Sequence, residues 1–203
     1  MVVAGASRHA KEIIQILCKQ NTTFLLFEDL SSSLDKFFDK YDWVKEIDDE
    51  KLKHVGQFVI ANGGTILRQT IAQKLINCGL ILKSVIAETA VIGNNDMNLA
   101  NGLNIMNFVF ISDCVSIGEG TLVNAFCSIH HDSKIGEYCD ISPRVTLLGG
   151  AKIGNYTWIG AGATILPNIK IGNNCIIGAG ALVNKDIPDN CKAYGVPAKI
   201  IHE

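Results

Sequence analysis

No stretch of this 203-residue chain approaches the ~20 consecutive apolar residues that a bilayer-spanning helix needs. Its first residues, Met1-Val2-Val3-Ala4-Gly5, lack a basic flank, a long apolar run and a cleavage site, so no secretory signal peptide is expected. Charge of one sign is missing too: 18 basic residues stand against 20 acidic ones, a net charge of −2, with no run of either. That balance predicts neither a nucleic-acid footprint nor a membrane-surface patch. Aromatic residues make up only 7% of the chain while hydrophobic residues reach 48%, so packing must rest on Ile, Val, Leu and Ala. The 7 cysteines form no C-x-x-C pair and no zinc-like spacing, and such an odd set reads as the free thiols of a reduced, cytoplasmic protein.

What is there falls into two halves, expected as domains over 1–87 and 88–203. The first alternates strand and helix signals. Val2-Val3-Ala4 ends at Gly5, and Lys11-Glu12-Ile13-Ile14-Gln15-Ile16-Leu17 follows with helical apolar spacing. Phe24 to Phe27 closes on Glu28-Asp29, and Phe58 to Ala61 runs into Asn62-Gly63-Gly64. An amphipathic helix from about Ile66 to Leu75 and a strand over Ile81 to Ile86 complete a βαβ order, that of a small Rossmann-like parallel sheet. Such sheets bind ligands beyond the C-terminal ends of their strands, where glycine turns let backbone amides approach a phosphate. The Gly5 to Ala10 turn has two readings at this point, nucleotide binding or a merely structural turn.

The second half carries a strict period. Stepping by six from Ile105 through Ile111, Ile117, Val123, Ile129, Ile135, Ile141, Leu147, Ile153, Ile159, Ile165, Ile171 and Ile177 to Val183, every residue is aliphatic. Two residues before each lies a mostly small series, from Leu103, Val109 and Val115 to Cys127, Cys139, Ala163 and Cys175. Residues two apart on a strand share a face, so both series point inward. A period of six marks a parallel β-helix over about Leu99 to Val183, whose coils can bury their inner faces only on one another. Cys127, Cys139 and Cys175 sit in the small inward series and read as structural rather than reactive.

Against this wall of Ile, Gly and Ala, Ser128-Ile129-His130-His131-Asp132 stands out. His130 follows an inward Ile and should lie on the outer face; His131, one later, should reach a corner. One coil on, 18 residues away, the equivalent corner is Gly149. An imidazole stacked beside a bare backbone leaves room for a ligand and exposes amide hydrogens, which suits a general base beside a thioester carbonyl. A solvated surface histidine pair is the plain alternative. Zinc is not expected: the positions one coil before and after His131 are Asp113 and Gly149, and the other histidines, His9, His54 and His202, do not continue the column.

Taken in order, Gly5-Ala6-Ser7-Arg8-His9, Phe27-Glu28-Asp29, Ala61-Asn62-Gly63, His130-His131-Asp132, Ser142-Pro143, Gly149-Gly150-Ala151 and Gly195-Val196-Pro197-Ala198-Lys199 cover nearly the whole chain. Together they resemble the sialic acid O-acetyltransferase and bacillosamine or perosamine N-acetyltransferase family. The resemblance implies a left-handed β-helix, a homotrimer, acetyl-CoA as co-substrate, no metal, and a sugar used in bacterial surface glycans or glycoproteins as acceptor. It implies His131 as the general base and Asp132 as the acid that tunes it. Ser7, Arg8, His9, Glu28, Asp29 and Gly63 would hold the nucleotide of a nucleotide-linked sugar. Asp140, Gly149, Ala161 and Ala179 would line the acetyl-CoA site between two β-helices.

Three positions depart from the family pattern. His130 replaces the usual Glu, Asp140 stands where some members carry a second histidine, and Arg8 replaces a Gly, adding a cation where a phosphate would sit. No insertion breaks the period from Ile105 to Val183, so no expelled loop is available to form an acceptor pocket. The acceptor is therefore expected to rely on the first domain, and the resemblance implies the amino group at C4 of a nucleotide-linked amino-deoxy sugar as its reacting group. An O-acetyltransferase and, from another class, a non-catalytic β-helix scaffold are the competing readings.

Overall fold

The computed structural model describes residues 1–28, 35–47 and 50–201. They divide into two compact units, Met1–Val85 and Ile86–Glu203. The first begins with β1 (Val2–Ala4), α1 (Arg8–Lys19), β2 (Leu25–Phe27) and β3 (Trp43–Val44). It continues with α2 (Glu50–Val55), β4 (Gln57–Ile60), α3 (Thr65–Asn77) and β5 (Ile81–Leu82). The sheet order is β3-β2-β1-β4-β5, every pairing parallel. Chain order reverses between β1 and β4, which makes that crevice the topological switch point of the sheet. The central strands are near-continuous apolar runs because helices cover parallel sheets on both faces. Val2, Val3, Ala4, Leu26, Val59 and Ile60 are fully buried. Helix α1 supplies the stripe Ala10, Ile13, Ile14 and Leu17, at the spacing of one helical face.

The second unit is a parallel β-helix. Its first face stacks the two-residue strands ending at Ile86, Ile105, Val123, Ile141, Ile159 and Ile177, then Lys192–Tyr194 and an antiparallel Lys199–Ile201. Its second face stacks Ile92, Ile111, Ile129, Leu147, Ile165 and Val183; its third, Leu99, Ile117, Ile135, Ile153 and Ile171. In-register pairs such as Ile129↔Leu147 and Ile141↔Ile159 lie 18 residues apart, one full coil. Both inward series are buried as expected, apart from a partly exposed Ile169.

Each hexad turns its corner through one residue in the left-handed region, for example Phe126 (φ 63°), Asp132 (φ 63°), Tyr138 (φ 49°) and Gly150 (φ 75°). An L-residue there costs on the order of 1–2 kcal/mol, so the core and the inter-coil hydrogen bonds must hold these corners in place. The glycine directly after the bulky inward residue has another cause, close approach of the next coil. A Cβ on Gly118 would lie 2.6 Å from the carbonyl carbon of Gly136. Hydroxyls in the small inward series are satisfied locally: Thr121 Oγ1 donates to the Gly136 carbonyl at 2.8 Å, and Thr157 Oγ1 to that of Gly172 at 2.8 Å.

The β-helix starts earlier than the period suggests. Strands Val85–Ile86 and Val91–Ile92 already pair into it, but one extra residue between Ile92 and Leu99 breaks the spacing. Asp113 closes that wider corner by accepting from the amides of Asn94 at 3.0 Å and Asn95 at 3.2 Å. Ile81 to Ile86, read as one strand, divides into β5 and the first β-helix strand. Strand β3 and helix α2 carry too little pattern to be anticipated, with two residues in one and a single buried side chain, Leu52, in the other.

Cys127, Cys139 and Cys175 are walled in, and burial pushes the Cys127 and Cys139 thiols up to about 12 and raises Cys175. Cys18 lies exposed on α1. Labelling the native protein with a thiol-disulfide reagent at pH 8 should therefore modify Cys18 quickly and spare these three until denaturant is added. Rapid native labelling of Cys127 or Cys139, read by peptide mass, would contradict the inward register.

Candidate functional site

His131 occupies the edge of the β-helix that follows its second face, between strands Ser128–Ile129 and Lys134–Ile135. Its Nδ1 lies 2.7 Å from Asp132 Oδ2, with both side chains about two-thirds exposed (67% and 64%). An ionised carboxylate only accepts, so Nδ1 of the neutral ring carries the proton and Nε2 presents a lone pair to solvent. Asp132 makes this contact from a left-handed backbone (φ 63°), a corner geometry that turns its carboxylate back along the chain.

One coil on, Gly149 lies directly against the ring. A Cβ there would fall 2.6 Å from His131 Cε1 and 2.8 Å from Nε2, so only glycine leaves the imidazole in this place. The two coils are laced by the Gly150 amide, which donates to the His131 carbonyl at 2.9 Å. The neighbouring amide of Leu148 donates to Ile165, while that of Gly149 has no acceptor among the described residues. An imidazole with a free nitrogen and an unengaged backbone N–H thus sit side by side.

His130 is differently placed. Its Nε2 lies 3.1 Å from Ser128 Oγ, its ring meets Phe110 edge-on at 6.0 Å, and its amide donates to the Leu147 carbonyl at 2.9 Å. It packs along the outer face of the second sheet, as its position after Ile129 requires.

The remaining β-helix positions divide by edge. Asp140 points outward from the first face, paired in register with Leu122 and Trp158. The Trp158 indole N–H donates to Ser142 Oγ at 2.8 Å beside it. Ala161 and Ala179 are stacked one coil apart, the Gly180 amide donating to the Ala161 carbonyl at 2.8 Å, on the edge after the first face. His131, Asp132 and Gly149 are brought together; Ala161 and Ala179 lie on a different edge of the same chain.

In the first unit the loops at the switch point are tied to one another. Ser7 caps α1, its Oγ accepting from the His9 amide at 3.2 Å and donating to the Ala61 carbonyl at 2.8 Å. Glu28, 6% exposed, accepts from the Ala6 amide at 2.6 Å. Arg8 opens the helix exposed to solvent, and Asp29 lies outside the described residues. His9 Nδ1 faces Glu12 Oε2 at 3.4 Å, and this contact holds the Glu12 carboxyl below its ordinary value. His9 Nε2 is buried with no partner among the described residues, as is Asn62 Oδ1 across the crevice. Gly63 follows Asn62 in the β4–α3 loop. Arg68 was not singled out from the sequence, yet it is fully buried and donates to the Asn62 carbonyl at 2.6 Å. The signal was available: a cation at the first position of the buried stripe Arg68, Ile71, Ala72 and Leu75.

No cluster of His, Cys, Asp and Glu among the described residues has the arrangement of a metal site, and no described helix is long and apolar enough to cross a membrane.

Residues 114–149 and 150–185 match the bacterial transferase hexapeptide family, six repeats each. No curated protein matches the chain by sequence. Among solved structures, a histidine-to-asparagine variant of perosamine N-acetyltransferase from Caulobacter crescentus, in complex with CoA and GDP-perosamine, is 29% identical. It superposes with a TM-score of 0.90 over 100% of this chain and 96% of that one. WeeI from Acinetobacter baumannii AYE is 26% identical, with a TM-score of 0.79 over 98% of each chain. The acetyltransferase domain of PglB from Neisseria gonorrhoeae FA1090, in complex with acetyl coenzyme A, is 23% identical, with a TM-score of 0.83 over 98% of each chain, a likeness of fold. The resemblance read from the motifs is thus upheld along the whole chain, and with it the pairing of an α/β unit and a hexapeptide β-helix.

Replacing Gly149 by Ala should swing the His131 ring off Asp132 while leaving the fold intact, because the Gly149 backbone is not left-handed and the ring is free to move. Histidine ring NMR should show the His131 resonances shifted and those of His130 in place. Unmoved His131 resonances would contradict the contact.

Proposed function

We propose that this hexapeptide-repeat chain, similar over its full length to a perosamine N-acetyltransferase, is an acetyl-CoA-dependent acetyltransferase acting on an amino group, at C4, of a nucleotide-linked amino-deoxy sugar. The observation that carries this reading is the His131–Asp132 pair at 2.7 Å set over the bare backbone of Gly149. A scaffold protein has no use for an imidazole whose Nδ1 is held by a carboxylate and whose Nε2 is free.

The reaction is direct transfer. The acceptor amine attacks the thioester carbonyl carbon while His131 Nε2 removes a proton from the attacking nitrogen. Asp132 keeps the ring in the required tautomer and stabilises the imidazolium that forms. The Gly149 amide donates to the oxygen as it becomes an oxyanion. The carbon–sulfur bond then breaks, CoA leaves with the proton, and the acetamido sugar remains. No acyl-enzyme is involved: Cys127, Cys139 and Cys175 are enclosed, with thiols raised above their ordinary value.

Gly149 lies on one edge of the β-helix and Ala161 and Ala179 on another, so a coenzyme groove that uses both sets is built from two copies. That supports a homotrimer, in which threefold symmetry repeats the groove three times, with Asp140 on the adjoining face. The nucleotide of the acceptor is assigned to the first unit, to Ser7, Arg8, His9, Glu28 and Gly63 around the switch point, and to Asp29 of the same motif. The protein works in the cytoplasm, needs no metal, and supplies a sugar for bacterial surface glycan or glycoprotein synthesis.

The test is an acetyl-transfer screen over UDP-, GDP- and dTDP-linked 4-amino sugars, with free sialic acid as control, following CoA release and product mass. One nucleotide series should give an acetamido product. Transfer to sialic acid alone would overturn the amine assignment, and no transfer to any acceptor would overturn the enzyme reading.

A further inference from the structure

Arg68 is the largest fully buried side chain of the described residues, and three features set it apart from packing. It occupies a position that the stripe Ile71, Ala72 and Leu75 would give to an apolar residue. It carries a positive charge in the first turn of α3, where the helix dipole is already positive. A guanidinium out of water is costly even when well bonded.

Its hydrogen bonds point to what it does. Gly64, the N-cap of α3, offers no side chain to cap the helix. Arg68 reaches back instead, its Nη1 donating to the Asn62 carbonyl at 2.6 Å while its own amide donates to the Gly64 carbonyl at 3.2 Å. Asn62 is thereby fixed from its backbone. Its side chain is fixed from the other end, because Oδ1 is pressed against Gly5 across the crevice, where a Cβ would overlap it. Oδ1 is enclosed with no donor among the described residues, and the Nδ2 hydrogens are the donors the amide can turn to a ligand. That end belongs to the crevice that also holds the N-terminus of α1, where Ser7 Oγ caps only the His9 amide of the helix, and His9, whose buried Nε2 has no partner among the described residues. Amide hydrogens, a helix N-terminus and an imidazole around one crevice are the donors that a phosphate oxygen requires.

We propose that Arg68 is a positioning residue for the nucleoside diphosphate end of the acceptor: it locks Asn62 so that the Asn62 amide donates to a phosphate oxygen at the switch point. This rests on the assignment of the acceptor nucleotide to the first unit.

The test uses the full-length protein and calorimetric titration with GDP, UDP and dTDP as probes, acetyl-CoA binding serving as the control for folding. Wild type should bind at least one of the three. Arg68→Met should weaken that nucleotide at least about tenfold and Arg68→Lys by less, since lysine keeps one donor but not the fork. Asn62→Asp, equal in size but repelling phosphate, should also weaken it at least about tenfold. Acetyl-CoA affinity should stay within about twofold throughout. Nucleotide affinity unchanged in Arg68→Met overturns the proposal; if that variant fails to fold, unchanged affinity in Asn62→Asp does so instead. A wild-type protein that binds acetyl-CoA but none of the three diphosphates overturns the assignment of the first unit itself, and this proposal with it.

Discussion

A coil of a β-helix has no core of its own. Its inward residues meet only those of the coils above and below, and its two-residue strands hydrogen-bond only to equivalents 18 residues away. Everything in the second unit follows from keeping that registry. A single slip would turn an Ile outward and a surface residue inward, so the six-residue step is held from Leu99 to Val183. The same constraint forces left-handed corners on residues as bulky as Phe126, Tyr138 and Tyr156. It also makes the site possible. Because coils stack in register, His131 and Gly149 share a column, and a residue without a side chain can be placed beneath an imidazole with no local sequence relation between them.

The registry explains why this half of the fold was legible. Period, face and corner follow from counting, and counting distinguished His131 from His130 before any coordinates: one reaches the edge beside Asp132, the other lies against Ser128 and Phe110. Counting failed where the chain length between corners changed, at Asn94-Asn95, and it hid the first coils. In the α/β unit, β1, α1, β2, β4 and α3 announced themselves by apolar runs and helical spacing, whereas β3 is two residues long and left no pattern. Contacts between distant loops are beyond any such reading. Nothing local says that Ser7 reaches Ala61, that Glu28 reaches Ala6, or that Gly5 is glycine because of Asn62.

Chemistry in this protein is correspondingly sparse and specific. The interior of the β-helix is an aliphatic wall with its threonine hydroxyls satisfied, so the stacked coils contribute position more than reactivity. The first unit contributes donors, gathered where the sheet reverses its order. The proposed reaction divides its ligands in the same way, the acceptor held through its phosphates and the coenzyme through its thioester, with His131 acting on the atom that changes bonds.

The central claim is that the corner histidine, and not its neighbour on the face, performs the proton transfer. Steady-state kinetics of His131→Ala and His130→Ala, on the acceptor found by screening, test it most directly. General-base catalysis is typically worth about 10²–10⁴-fold, so His131→Ala should lose about that much kcat/KM with the fold unchanged. His130→Ala should lose about tenfold or less, the share of a neighbour that only shapes the acceptor site. The reverse ranking would contradict the account.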